Sequence, residues 1–229
     1  MKAILTVLLS LFVISLAIAQ TDCKPYIPIN EGATWEITDY SAKDKATSKT
    51  TYKLLEKREQ GDEITFTVES TSYDKKDKVV YNHTFEATCK AGTFDFGMSF
   101  KMDGQALAAY QNMDVEVDAS DYEIPSLDEA PGTQLKDGSL VVGIQGPITM
   151  KMKVNITDRK VEDSETITTP AGSFNCVVLS QTVSTKMVVN VEAGSKEWYA
   201  PEVGMVRSET YNKKGKLLGY SVLTALDRG

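Results

Sequence analysis

Seven carboxylates crowd one stretch of this 229-residue chain. Asp114, Glu116 and Asp118 alternate with Met113, Val115 and Val117, and Asp121, Glu123, Asp128 and Glu129 follow. Acids on one face of a strand suit calcium, which takes many oxygen ligands. Two of them could also serve as the acid/base pair of a glycosidase. No EF-hand spacing is present, however, and alternation with apolar residues is what any solvated strand face shows. Histidine occurs once, as His83 in Tyr81-Asn82-His83-Thr84-Phe85. A strand would turn Asn82 and Thr84 to the opposite face, so no triad or histidine zinc site can assemble locally, and a strand-surface histidine is expected. Nucleophile-elbow, Walker, dinucleotide-binding and H-E-x-x-H motifs are all missing. No catalytic residue, metal ligand or cofactor is assigned, and the chain reads as a non-enzyme.

Apolar side chains carry the remaining chemistry. Phe94, Phe96, Met98, Phe100 and Met102 occupy alternate positions, and Ile148, Met150, Met152, Val154 and Ile156 repeat the arrangement. Met187, Val189 and Val191 extend a third such face. A curved sheet lined by Phe and Met offers an adaptable greasy concavity. Closed tightly, that face is core; held half open, it could take an acyl chain or a partner's apolar segment. The candidate ligand-binding residues are Phe94, Phe96, Met98, Phe100, Met102, Met150, Met152, Met187 and Trp198.

The elements that must position them are strands. Thr169-Pro170-Ala171-Gly172 predicts a three-residue hairpin loop with glycine in the left-handed position. After it, Val177, Leu179, Val183, Met187, Val189 and Val191 share one parity, the mark of a long half-buried strand. Trp198 to Gly204 then holds a turn punctuated by Pro201 and Gly204. Three segments beginning at Tyr40, Tyr73 and Tyr211 share the pattern Tyr-x-x-Lys-[Asp/Gly]-Lys between extended runs. They read as hairpin tips whose lysines keep them soluble or act as cationic contact points. Residues 103–112 have good helix formers behind Asp103 and predict one short helix.

TTPAGSFNC followed by KEWYAPEVGMVRSETYNKKGKLLGY resembles a family of exported bacterial β-proteins of unknown function from the Bacteroides group. That family shows a TPAG-[ST]-F turn, a W-[YF]-A-x-x-V-G-x-V segment and a terminal Y-x-K-K-G-K hairpin. Cys23, the GATWEITDY block and FEATCKAGTFDFGM extend the resemblance over nearly the whole chain after the leader. It implies a strongly curved antiparallel sheet, similar to the half-barrels of periplasmic lipoprotein carriers, and no activity.

Met1-Lys2 followed by the apolar run Ile4–Leu16 and by Ala17-Ile18-Ala19 reads as a signal peptide over 1–19, cleaved before Gln20. The apolar run is too short for a membrane anchor, and no second stretch suggests a transmembrane span. Cys23 follows Gln20-Thr21-Asp22, which is no lipoprotein box, so an exported, periplasmic or cell-surface protein without a lipid anchor is expected. Losing the leader removes Lys2 and no acid, shifting the formal charge from −7 to −8. That balance argues against a general affinity for nucleic acid or anionic membranes, which needs clustered cations. In an oxidising compartment a Cys23–Cys89 bridge would staple the N-terminus to the sheet, worth roughly 3–4 kcal/mol in the loop-entropy model. Cys176 would then be a buried thiol, and a Cys89–Cys176 pairing is the alternative.

The sequence therefore predicts an all-β half-barrel, a curved antiparallel sheet of ten or more strands with one short helix. Residues 20–229 form a single β-domain, in one reading two lobes meeting near 125–140. Its expected function is a non-enzymatic carrier or binding module for a lipid-like ligand or partner segment. The rivals are an accessory envelope protein acting through protein contacts and, less favoured, a hydrolase built on the 114–129 acids.

Overall fold

The structure is a computed structural model and describes residues 24–101, 114–145, 150–187 and 189–229. Among these, thirteen antiparallel strands form one sheet. They are β1 Thr34–Ser41, β2 Ala46–Gln60, β3 Glu63–Asp74, β4 Val79–Lys90, β5 Thr93–Gly97, β6 Asp114–Ala119 and β7 Asp121–Ile124. The chain continues through β8 Gly138–Gln145, β9 Met150–Thr169, β10 Gly172–Lys186, β11 Asn190–Ala200, β12 Gly204–Tyr211 and β13 Leu217–Asp227. One 3-10 turn, Met98–Lys101, follows β5. The expected helix at 103–112, and Met102 with it, lies outside the described residues.

Two meanders make the sheet. Strands β8 to β13 run side by side, β13 pairs with β1, and β1 to β5 continue the order. At the two ends lie β6, bonded to β8, and β7, bonded to β5. Only Ser120 separates these two strands in sequence, so the sheet curls until the chain itself joins its ends. Ser120 is pinned at that seam. Its amide donates to the Ser139 carbonyl and its carbonyl accepts from the Met98 amide, both at 2.9 Å. Its hydroxyl oxygen accepts the Ser139 amide at 2.9 Å.

Alternation decides the inner face. Every second residue is buried from Phe66 to Ser72 of β3 and along β8, as a strand with one covered side requires. In β9 the buried parity changes: Met152 and Ile156 give way to Arg159 and Val161. The cause is a bulge. Thr182 pairs with Thr157 and Ser180 with Lys160, leaving Asp158 and Arg159 opposite a single residue, with Asp158 left-handed at φ 53°. The extra residue re-aims Arg159 inward.

Two turns differ from their sequence readings. Gly172 pairs with Thr169, so the loop is the two residues Pro170 and Ala171, with Gly172 at φ 137°. The long strand expected from Val177 to Val191 is broken, because β10 ends at Lys186 and β11 starts at Asn190. Met187 and Val189 keep the period of two by sitting in the turn, where period no longer reports a face.

The three lysine tips are the same turn built three times. In each, the backbone amide and carbonyl of the first and fifth residues close the loop: Ser41 to Lys45, Asp74 to Lys78 and Asn212 to Lys216, all at 2.9 Å. The first residue's side-chain oxygen accepts the amides of the third and fifth, at 2.8–3.0 Å from Asp74 and 2.9–3.0 Å from Asn212. Ser41 does the same more loosely, at 3.3–3.4 Å. The fourth residue is left-handed: Asp44, Asp77 and Gly215 at φ 56°, 60° and 74°. Aspartate and glycine tolerate that conformation, which explains the recurring [Asp/Gly]-Lys ending.

Candidate functional site

The interior of the curl is filled by aromatic rings. Phe94 and Phe96 meet edge to face at 4.9 Å, and Phe96 stacks on Phe100 at 4.3 Å. Phe94, Phe96 and Met98 are buried, and so is Met152, while Phe100 and Met150 are partly buried against them. Among the described residues the interior holds a cavity of about 40 Å³, lined by Trp35, Tyr52, Phe85, Phe96, Phe100 and Met205 among others. That is room for a water or two, against roughly 300–1,000 Å³ for a typical ligand pocket.

The other two candidate ligand residues lie elsewhere. Met187 is exposed in the turn between β10 and β11. Trp198 is buried but points to the outer face, because its neighbours Glu197 and Tyr199 point inward. Its indole N–H donates to Glu165 at 3.0 Å, and the Lys196 ammonium lies 4.8 Å from its ring. The Trp198 hydrogen bond, then Lys196, holds the Glu165 carboxyl below its ordinary pKa.

A buried polar cluster crosses the interior, and nothing in the residue spacing announced it. Tyr122 on β7 donates its hydroxyl proton to Gln181 on β10 or to Glu197 on β11, with oxygen separations of 2.6 and 3.2 Å. The Tyr199 hydroxyl donates to the same Glu197 oxygen at 2.8 Å. Arg159 stacks on the Tyr122 ring at 3.8 Å and donates to the carbonyls of Lys136 and Glu123 at 2.6 and 2.7 Å. Burial, followed by the Glu197 charge, pushes the Tyr122 and Tyr199 hydroxyls well above the ordinary tyrosine value. The one sequence signal for Arg159 was the parity change along β9. Chemically the cluster is a strut: it ties the last strand at one end of the sheet to β9, β10 and β11 of the other half.

Among the described residues the acids of 114–129 do not converge. Glu116 and Asp118 are exposed on the edge strand β6, Glu123 lies on β7 and Asp128 and Glu129 are exposed beyond it. Among the described residues no group of three or more His, Cys, Asp or Glu is gathered for a metal ion. His83 is not the surface histidine expected. It faces inward between Tyr81 and Phe85, ring centres 5.3 and 6.0 Å away, with both ring nitrogens buried and without hydrogen-bond partners. Desolvation lowers its pKa.

Cys176 is buried and free, which excludes the Cys89–Cys176 pairing. Burial pushes its thiol up to about 12. Cys89 is wholly buried, and Cys23 lies outside the described residues. Tyr26 and Ile27 cross the same end of the sheet. The Tyr26 hydroxyl donates to the Pro125 carbonyl at 2.6 Å, and the Glu202 amide donates to the Pro25 carbonyl at 2.6 Å. Gly204 must be glycine here: it sits at φ 107°, and a Cβ would come within 3.0 Å of the Tyr26 carbonyl oxygen. The A-x-x-V-G segment is thus the seat of the N-terminal stretch.

An all-β sheet curled on an aromatic core, with no described helix long and apolar enough to cross a membrane, defines a half-barrel class. The chain belongs to the DUF3108-like family, whose model matches residues 30–223. Among solved structures it is similar to a Bacteroides fragilis protein described as exported and of YmcC-like fold. The two share 26% identity and a TM-score of 0.81, over 90% of this chain and 100% of that one. A Parabacteroides distasonis protein described as a lipoprotein shares the fold at 24% identity and TM-score 0.81, with the same coverage. No curated protein matches the chain.

Proposed function

We propose that this is a non-enzymatic exported protein of the cell envelope that works through its outer surface, with the curled sheet as its rigid frame. The observation carrying this reading is the packing of Phe94, Phe96 and Met98, each at most 4% exposed, with a void of about 40 Å³ bordered by Phe96. A face filled by its own rings leaves the surface to do the work. Export rests on the leader and is supported by the description of the Bacteroides relative. Removal of residues 1–19 and a Cys23–Cys89 bridge belong to the same proposal. The bridge is supported by Cys176 being the free thiol among the described residues, while Cys89 is not free. A protein without lipid on Cys23 is also proposed, from the missing small-residue box.

The carrier reading keeps one observation in its favour. Phe100, Tyr52 and Met205, which border the void, are only partly buried, so a ligand would enter by displacing them. Native mass spectrometry of the protein recovered from its envelope, followed by organic extraction, separates the readings. A bare chain from Gln20, two hydrogens below the reduced mass, is expected. An added mass that extraction releases as lipid would establish the carrier instead, and a covalent diacylglyceryl mass would overturn the absence of an anchor.

A further inference from the structure

Registers place the three lysine tips on one rim of the sheet. Tyr40 is opposite Tyr220, Ser48 is opposite both Asp39 and Asp74, and Tyr211 is opposite Gly194. The β12–β13, β1–β2 and β3–β4 tips are therefore successive, and the β10–β11 turn lies beside the first. With Lys186 and Glu192, these four turns carry nine lysines, three aspartates and one glutamate in a chain whose net charge is −7, and Glu192 pairs with Lys213 at 3.3 Å. The aspartates are held back: Asp74 caps its own turn, Asp77 pairs with Lys49 at 2.8 Å, and Asp44 accepts the Tyr220 hydroxyl at 2.8 Å. Among the described residues, five of the eight exposed large apolar side chains sit at these same turns. They are Val79 and Leu218, each about half exposed, with Met187, Val189 (71%) and Val191 (63%).

We infer that this rim is a docking surface for an anionic phospholipid bilayer. The inference rests on the surface-acting reading above and names its partner. Cations alone would serve any acidic partner, and apolar tips alone would serve any greasy one. Together they match the two layers of a membrane interface. Lysine ammoniums pair with headgroup phosphates while neighbouring valine, leucine and methionine side chains enter the acyl boundary. The acidic remainder of the molecule is repelled by the same surface, so the charge distribution also orients the protein rim-down. The capped turns hold the lysines on short, ordered loops, which lowers the entropy lost on contact.

The test is co-sedimentation of the envelope-purified protein with vesicles of phosphatidylglycerol mixed equally with phosphatidylcholine, and with phosphatidylcholine alone. Binding is expected to the first, weakening as salt rises, and to be weak on the second. Reversing Lys213, Lys214 and Lys216 to Glu should weaken it by at least about tenfold. Val189→Ser with Val191→Ser should also weaken it measurably, while Lys90→Glu on the opposite rim should not. Circular dichroism and thermal midpoints confirm that each variant is folded. The inference is overturned by equal binding to neutral vesicles, by either rim variant binding as the parent does, or by capture on polyglutamate without binding to vesicles. A lipid found inside the chain by mass would sink the surface-acting reading and leave the vesicle result standing, so the two fail separately.

Discussion

The two rims of the sheet are built to opposite ends. One is plugged: the stretch through Tyr26 and Ile27 runs beneath the Ala200–Gly204 turn and is bonded to Pro125 and Glu202. Its residues are almost wholly buried, and Tyr26 meets Phe94 and Tyr199 ring to ring at 6.1 and 6.3 Å. The other rim carries three capped lysine turns and a cluster of bare apolar side chains. Among the described residues, the first rim and the polar strut are buried and bonded, while the second presents exposed cations and apolar side chains.

That contrast is sharpest where the largest loss is expected. Tyr26→Ala should cost about 3–5 kcal/mol, as removal of a buried aromatic does, and urea denaturation should show the midpoint falling accordingly. A loss under about 1 kcal/mol would mean the plug is ornamental. Glu197→Ala comes next, because it takes from the buried Tyr199 hydroxyl the acceptor at 2.8 Å and leaves Tyr122 with Gln181. A loss of roughly 2–4 kcal/mol is expected, with Glu197→Gln less damaging since one acceptor oxygen survives.

Alkali should expose the same buried region. Tyr26, Tyr52, Tyr122 and Tyr199 all have pKa values raised above 10.0, with burial the leading cause in each. A raised folded value means the native state holds protons that the unfolded chain releases, so stability is intact below pH 10 and declines as pH climbs above it. Absorbance at 295 nm should show these tyrosines ionising together with unfolding. Early, separate ionisation would contradict their burial. At the lysine rim the effects shrink. Asn212→Ala removes a turn cap and should cost about 1 kcal/mol, and Lys213→Glu should change stability by less than about 0.5 kcal/mol.

Legibility followed the range of the interactions. The lysine tips were readable because everything that builds them lies within five residues: a capping oxygen, a left-handed aspartate or glycine, a closing lysine. The half-barrel and the inward parity of Phe94, Phe96 and Met152 were readable for a similar reason, since strand period is local. The strut was not, because Tyr122, Arg159, Gln181 and Glu197 come from four strands and Arg159 faces inward only through its bulge. Met187, Val189 and Val191 misled because their period of two continues through a turn. His83 was placed on the surface from its residue type, whereas its parity with Tyr81 and Phe85 already put it on the inner side.

The pairing of β1 with β13 sets a timetable. Residues 34–41 lie against residues 217–227, near the middle of the strand order. Until the last eleven-residue strand has been made, β1 has no strand on its second edge, whatever the Ser120 seam and the Tyr122 strut already join, and loop closure across nearly 180 residues must precede the β1–β13 contact. A nascent chain of this protein therefore stays short of its native state for almost the whole of its synthesis, which is the condition an unfolded-chain export channel requires of its cargo.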